Sequence, residues 1–205
     1  MTMQRVHFES ETTPIRLPRA QLRFPIPVRQ PRGFRAERPA TWPRLEGRLE
    51  FVGGEILFMP PCADFQQAVS SETIRLLGNW SVEHPEYLVA GNEAGMILGG
   101  EVRAADVAVW KRSVAGPHRG VFRRVAPVLV VEIAGEDEEE AALRAKARWY
   151  LSHGVEVVWL AFPRERLVIS VTDAGSKRVK GARSLPAGSL PGSEITAREL
   201  FRQLR

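Results

Sequence analysis

The apolar positions of this chain fall in short runs broken by glycine, proline and clusters of charge. VLVVEIAG (128–135) is one of the most continuous, and a run so rich in branched residues reads as a strand covered on both faces. ADVAVW (105–110), VEVVWLAF (155–162) and RLVISVT (166–172) read as strands too, the last two joined around Pro163-Arg164. LEFVGGEILFM (49–59) sets two β-rich stretches around Gly53-Gly54, a strong hairpin signal. EYLVAG and GMILGG predict two further short strands. In DFQQAVSSETIRLLGNWSV (64–82) the apolar residues Phe65, Ala68, Val69, Ile74, Leu76 and Leu77 keep helical spacing behind an Asp64 cap. EDEEEAALRAKARWYLSHG (136–154) predicts a second helix, with acids at its start and a glycine at its stop. TARELFRQLR closes the chain as a short amphipathic helix. One long helix between two apolar strands is a βαβ step, so the fold class is α/β (α+β), a mixed sheet with helices on its faces. No glycine-rich phosphate loop follows a strand, which weighs against dinucleotide and P-loop folds.

Charges interrupt this apolar pattern where they should not. Glu132 stands in the middle of VLVVEIAG, and an unpaired buried charge costs several kcal/mol. Wound at about 100° per residue from Leu143, the following helix puts Ala147 and Tyr150 at roughly +40° and −20°, and Lys146 at roughly −60°, inside the same apolar arc. Arg144 and Arg148 fall at roughly +100° and +140°, on the solvated side. Asp106 shares a strand face with Ala108 and Trp110, and Glu50 sits in the apolar strand LEFV. Three carboxylates and one lysine thus lie on elements that read as core. One reading is a buried Glu132–Lys146 ion pair that only orders the sheet. The other is a site for a hard divalent cation, since clustered acids repel and a single lysine cannot neutralise them. Such a cation together with a lysine is a physical recipe for phosphodiester hydrolysis.

Charge along the chain is uneven. Residues 1–44 carry nine arginines and three glutamates, a net +6, and the remainder sums to −1. Seven of the fifteen prolines lie in the same stretch, so 1–44 reads as an extended or disordered Arg/Pro-rich arm and 45–205 as the folded domain. The arm either grips nucleic-acid backbone, or is a tail or an extension upstream of the natural start. The single cysteine, Cys62, excludes an internal disulfide and a cysteine-rich zinc site, and suits a cytoplasmic setting. No apolar run approaches the ~18–20 residues a membrane span needs, so no membrane is expected among the partners.

The strand acids Asp106 and Glu132 with nearby Lys146 resemble the PD-(D/E)XK nuclease superfamily. More narrowly, LEFVGGEILFMPP, VRAADVAVW, APVLVVEIAG and KARWYLSHGVEVVWL resemble, in order, the blocks of the Uma-two family of endonucleases. The run from Lys146 through Tyr150, Gly154 and Val155 to Trp159 is the most specific block, and the resemblance covers roughly residues 45–172. It implies a restriction-endonuclease-like mixed sheet flanked by helices, and a site using Mg²⁺, or Mn²⁺ in its place. Asp106 and Glu132 match the metal-binding acids, Lys146 the lysine, moved from strand to helix, and Glu50 an accessory acid. Ala105 replaces the family's proline, Gly135-Glu136 its Ser-Pro, and Phe65, Gln66 and Gln67 occupy the place of its helix histidine. His7, His84, His118 and His153 read as surface residues, and Glu136 either as an extra acid of the site or as a helix-terminal charge. Arg119, Arg123 and Arg124 are either phosphate-gripping or solvated. The implied function is a Mg²⁺-dependent DNA endonuclease, with a homodimer as one way to cut both strands. The alternative is an inactive nucleic-acid-binding or protein-interaction module on the same fold.

Overall fold

The computed structural model describes residues 24–45, 47–117, 120–136 and 138–204. The first half of the predicted arm, His7, His118 and Arg119 lie outside the described residues.

The strands are β1 (Ile26–Val28), β2 (Leu49–Val52), β3 (Glu55–Phe58), β4 (Tyr87–Leu98), β5 (Glu101–Lys111), β6 (Leu129–Ile133), β7 (Val157–Phe162), β8 (Leu167–Thr172) and β9 (Gly175–Lys180). The helices are α1 (Asp64–Glu83), α2 (Arg112–Ala115), α3 (Glu140–Ser152) and α4 (Ala197–Leu200). Among the described residues all nine strands join one sheet in the order β1-β3-β2-β5-β6-β7-β8-β9, with β4 on β5. β6 and β7 are parallel and every other pair is antiparallel, so the expected βαβ step is present with α3 as its crossover.

The apolar runs become the middle of this sheet. Every residue of β6 and of β7 is buried. One core packs Val69 and Leu77 of α1 and Ala197 and Leu200 of α4 against Val107, Val131 and Trp159. The other packs Leu143, Ala147 and Tyr150 of α3 against Ala108, Val130 and Leu160. Helices therefore cover both faces. Glu72 of α1, fully buried, is paired with Arg75 and reached by Arg202 and Gln203 after α4, which clasps the two helices on the first face.

Four local expectations change. EYLVAG and GMILGG are one strand, β4, whose register slips between Gly91 and Ala94. There Asn92 and Glu93, both at positive φ, oppose the single residue Asp106, a bulge that lets the strand continue. Asp64 is the first helical residue and not the cap. Ala63 precedes it, and its N–H donates to Gln66 Oε1 at 2.9 Å. α3 starts at Glu140, so the first of its predicted acids stay in the loop. Finally, the chain enters the sheet well before Leu45. β1 pairs with β3 as an edge strand that tolerates Pro27, and Phe34 packs on Phe51 with rings 5.2 Å apart.

Candidate active site

β5 is paired along its whole length by β4 on one edge. Its other edge meets β2 only at Val102, opposite Phe51, and β6 only from Val107 to Val109. The sheet forks there, and β5 residues 103–106 face the gap. Carboxylates bridge it in place of a strand. Glu50 Oε1 accepts a 3.4 Å hydrogen bond from the Ala104 N–H, and Asp106 Oδ2 accepts a 2.7 Å bond from the Ile133 N–H at the end of β6. The β4 bulge lies directly opposite Asp106, where extra twist re-aims a strand residue.

Glu132, 4% exposed, projects from β6 toward α3. Its Oε2 is 2.7 Å from the Lys146 ammonium, and its Oε1 accepts a 2.8 Å bond from the Tyr150 hydroxyl. Lys146 and Tyr150 are four residues apart on α3, one above the other, so a single helix face supplies both donors. The same ammonium lies 3.8 Å from Glu50 Oε1. Of the residues predicted from sequence, Glu50, Glu132 and Lys146 are thus in direct contact, and Asp106 is tied to the end of the same strand.

The electrostatics follow from this crowding. Burial pushes the Glu132 carboxyl up to about 7, with the charges of Asp106 and Glu50 adding and Lys146 opposing. Burial also raises Asp106, against the pull of Lys146, the Ile133 N–H and Arg48. For Lys146, burial works downward, but Glu132 and Glu50 together outweigh it and hold the ammonium above its ordinary range. Burial and the Glu132 charge push the Tyr150 hydroxyl well up, so it remains a donor.

Three further residues belong here. Gln66, where the family's histidine is missing, donates its amide to the Ile133 carbonyl at 2.9 Å and so fixes the backbone between Glu132 and Ala134. Tyr150, which the sequence puts on the apolar arc and in the most specific block without giving it a role, donates its hydroxyl to Glu132. Arg48 is half-buried, which lowers its guanidinium, but the charges of Glu50, Asp106 and Glu132 outweigh that and raise it. Other candidates are engaged elsewhere. His84 stacks on Trp80 at 4.7 Å, His153 caps α3 against the Trp149 carbonyl, and Glu136 pairs with Arg164 on the surface. Arg123 donates to the Ala115 carbonyl and lies over the Trp110 ring, while Arg124 is exposed.

The donor set suits a hard cation. It consists of carboxylate oxygens, and the second oxygen of Asp106 accepts no hydrogen bond among the described residues. Mg²⁺ needs only one or two carboxylates and fills its remaining positions with water. Among the described residues no three His, Cys, Asp or Glu side chains form a ready cage, so such a cation would rest on the acids of the fork and on water.

The Uma2 family model, described as "Putative restriction endonuclease", matches residues 37–200, a span that holds all four predicted site residues. The chain is similar in structure to a "putative nuclease belonging to DUF820" from Anabaena variabilis ATCC 29413. The TM-score is 0.71 at 18% identity, over 80% of this chain and 94% of that one. At that identity the likeness speaks for the fold. No curated protein matches the chain.

Proposed function

The chain belongs to the Uma2 family and has its restriction-endonuclease-like fold; from that premise and the chemistry of the fork we propose that it is a Mg²⁺-dependent DNA endonuclease hydrolysing phosphodiester bonds. The observation that carries the proposal is the Lys146 ammonium held between Glu132 and Glu50 at a gap in the sheet whose fourth member, Asp106, is pinned at the end of β6.

In this reading Asp106 and Glu132 hold the cation, with Glu50 beside them. Bound there, Mg²⁺ polarises phosphate oxygens and acidifies water. Everything else is work for the protein. Tyr150 and Lys146 fix the orientation of Glu132, and Gln66 fixes the strand end that carries it. Lys146 stays cationic, so it orients the attacking water and offsets charge developing on phosphate rather than taking a proton.

Plasmid cleavage with Mg²⁺ against a chelator tests the proposal. The wild type should cut only with the cation. Lys146→Met should cut at least about 100-fold more slowly while folding normally, because the methionine fills the same arc. Equal cutting by that variant would remove Lys146 from the mechanism.

A second reading has its own support. The 2.7 Å Glu132–Lys146 pair already neutralises the acid in the middle of the buried strand β6. On that account the fold is a DNA-binding or interaction module, and the wild type binds duplex but leaves it intact with any divalent cation.

A further inference from the structure

Arg48 immediately precedes β2 and is two residues from Glu50, so the two share a side of the strand. Its carbonyl accepts from the Met59 N–H at 2.9 Å, which seats it in the hairpin ladder. The acids that act on its charge are Glu50, Asp106, Glu132 and Glu93, in that order, three of them members of the site. Yet among the described residues it makes no ion pair or hydrogen bond with any of them, and its Nε is sealed from water without a partner. A guanidinium always carries its charge and presents five donors in a fork shaped for carboxylate or phosphate. A residue kept only to balance the acids would pair with them, as Lys146 does.

The formal charges say what is missing. Glu50, Asp106 and Glu132 against Lys146 and Arg48 leave the fork one negative charge from neutral. A divalent cation makes it one positive, and one phosphodiester closes the balance. We propose that Arg48 binds a non-bridging oxygen of the DNA phosphate entering the fork, acting as a positioning residue for the substrate. The inference rests on the nuclease reading and names the group that seats its substrate.

The test is duplex binding followed by fluorescence anisotropy across a salt series, for wild type, Arg48→Met and Arg48→Lys, with Ca²⁺ and with chelator. Thermal melts confirm that each variant is folded, and calorimetry follows Mg²⁺ binding. With Ca²⁺, Arg48→Met should bind DNA about tenfold or more weakly. The slope of log affinity against log salt should fall by about one, equally for unrelated sequences. Arg48→Lys should restore the slope but not the full affinity. Mg²⁺ binding should stay as tight or tighten, since a nearby positive charge is gone. A folded Arg48→Met with the wild-type affinity and slope would overturn the proposal. The two readings fail separately. Wild-type cleavage with no Arg48 contrast sinks only this inference. Wild-type binding with an Arg48 contrast but no cleavage sinks only the enzyme.

Discussion

At the residue scale, Glu132 is the group on which the site turns. Folding raises its carboxyl to about 7, so between about 4.5 and 7 the native chain holds a proton that the unfolded chain releases. Its contribution to stability is therefore full below the unfolded pKa and lost as the pH rises through about 7. In chelator, the wild type should melt higher near pH 5 than near pH 8, and Glu132→Gln should flatten that difference. An unchanged pH dependence in the variant would assign the effect elsewhere. Tyr150→Phe removes one of the two donors that orient Glu132 and should cost about 1–2 kcal/mol of stability. Its cleavage should fall less than that of Lys146→Met, because the ammonium remains. The four acids and bases were legible in the sequence because charge stood out against apolar periodicity. Gln66 and Arg48 were not, since each matters through contacts between elements distant in sequence, and a polar residue at a helix start or strand end breaks no pattern.

At the element scale, the βαβ step was legible: β6 and β7 are buried throughout and α3 keeps its apolar arc. What could not be read was the bulge that joins two short apolar runs into β4. Its signal is conformational, since Asn92 and Glu93 adopt positive φ without being glycine. β9 was missed for a different reason: GSKRVK buries only Val179, so an exposed edge strand leaves no alternating trace. α1 seats closely on the bulge, because a side chain at Gly91 would collide with Ile74. Backbone in the left-handed region costs a non-glycine residue about 1–2 kcal/mol, so Glu93→Gly should raise stability by about 1 kcal/mol. A chemical denaturation series measures this, and a loss of stability would mean that the Glu93 side chain supports the site.

At the scale of the molecule, the sheet forks where β5 changes partner from β2 to β6, and every proposed catalytic group faces that fork. The body sums to about neutral, which is little charge for gripping duplex DNA, and the arm holds the excess. Since β1 belongs to the sheet, the deletion that isolates the arm's contribution is residues 1–23, with Arg5, Arg16, Arg19 and Arg23 against Glu9 and Glu11. Its loss should weaken duplex binding and lower the salt slope by no more than about four, with the cleavage rate at saturating DNA unchanged. An unaltered slope would mean that the arm does not touch DNA.

The central claim is that the acids of the fork form a cation site. The most direct measurement is calorimetric titration of Mg²⁺, and of Mn²⁺, into the wild type beside Asp106→Asn, which keeps an acceptor for the Ile133 N–H but loses the charge. Binding by the wild type that is lost in the variant is the predicted result. No binding in the wild type would contradict the claim, leaving Glu132 neutralised by Lys146 alone and the nuclease-like fold used for something other than metal-dependent cleavage; equal binding in both would mean that Asp106 is not a ligand.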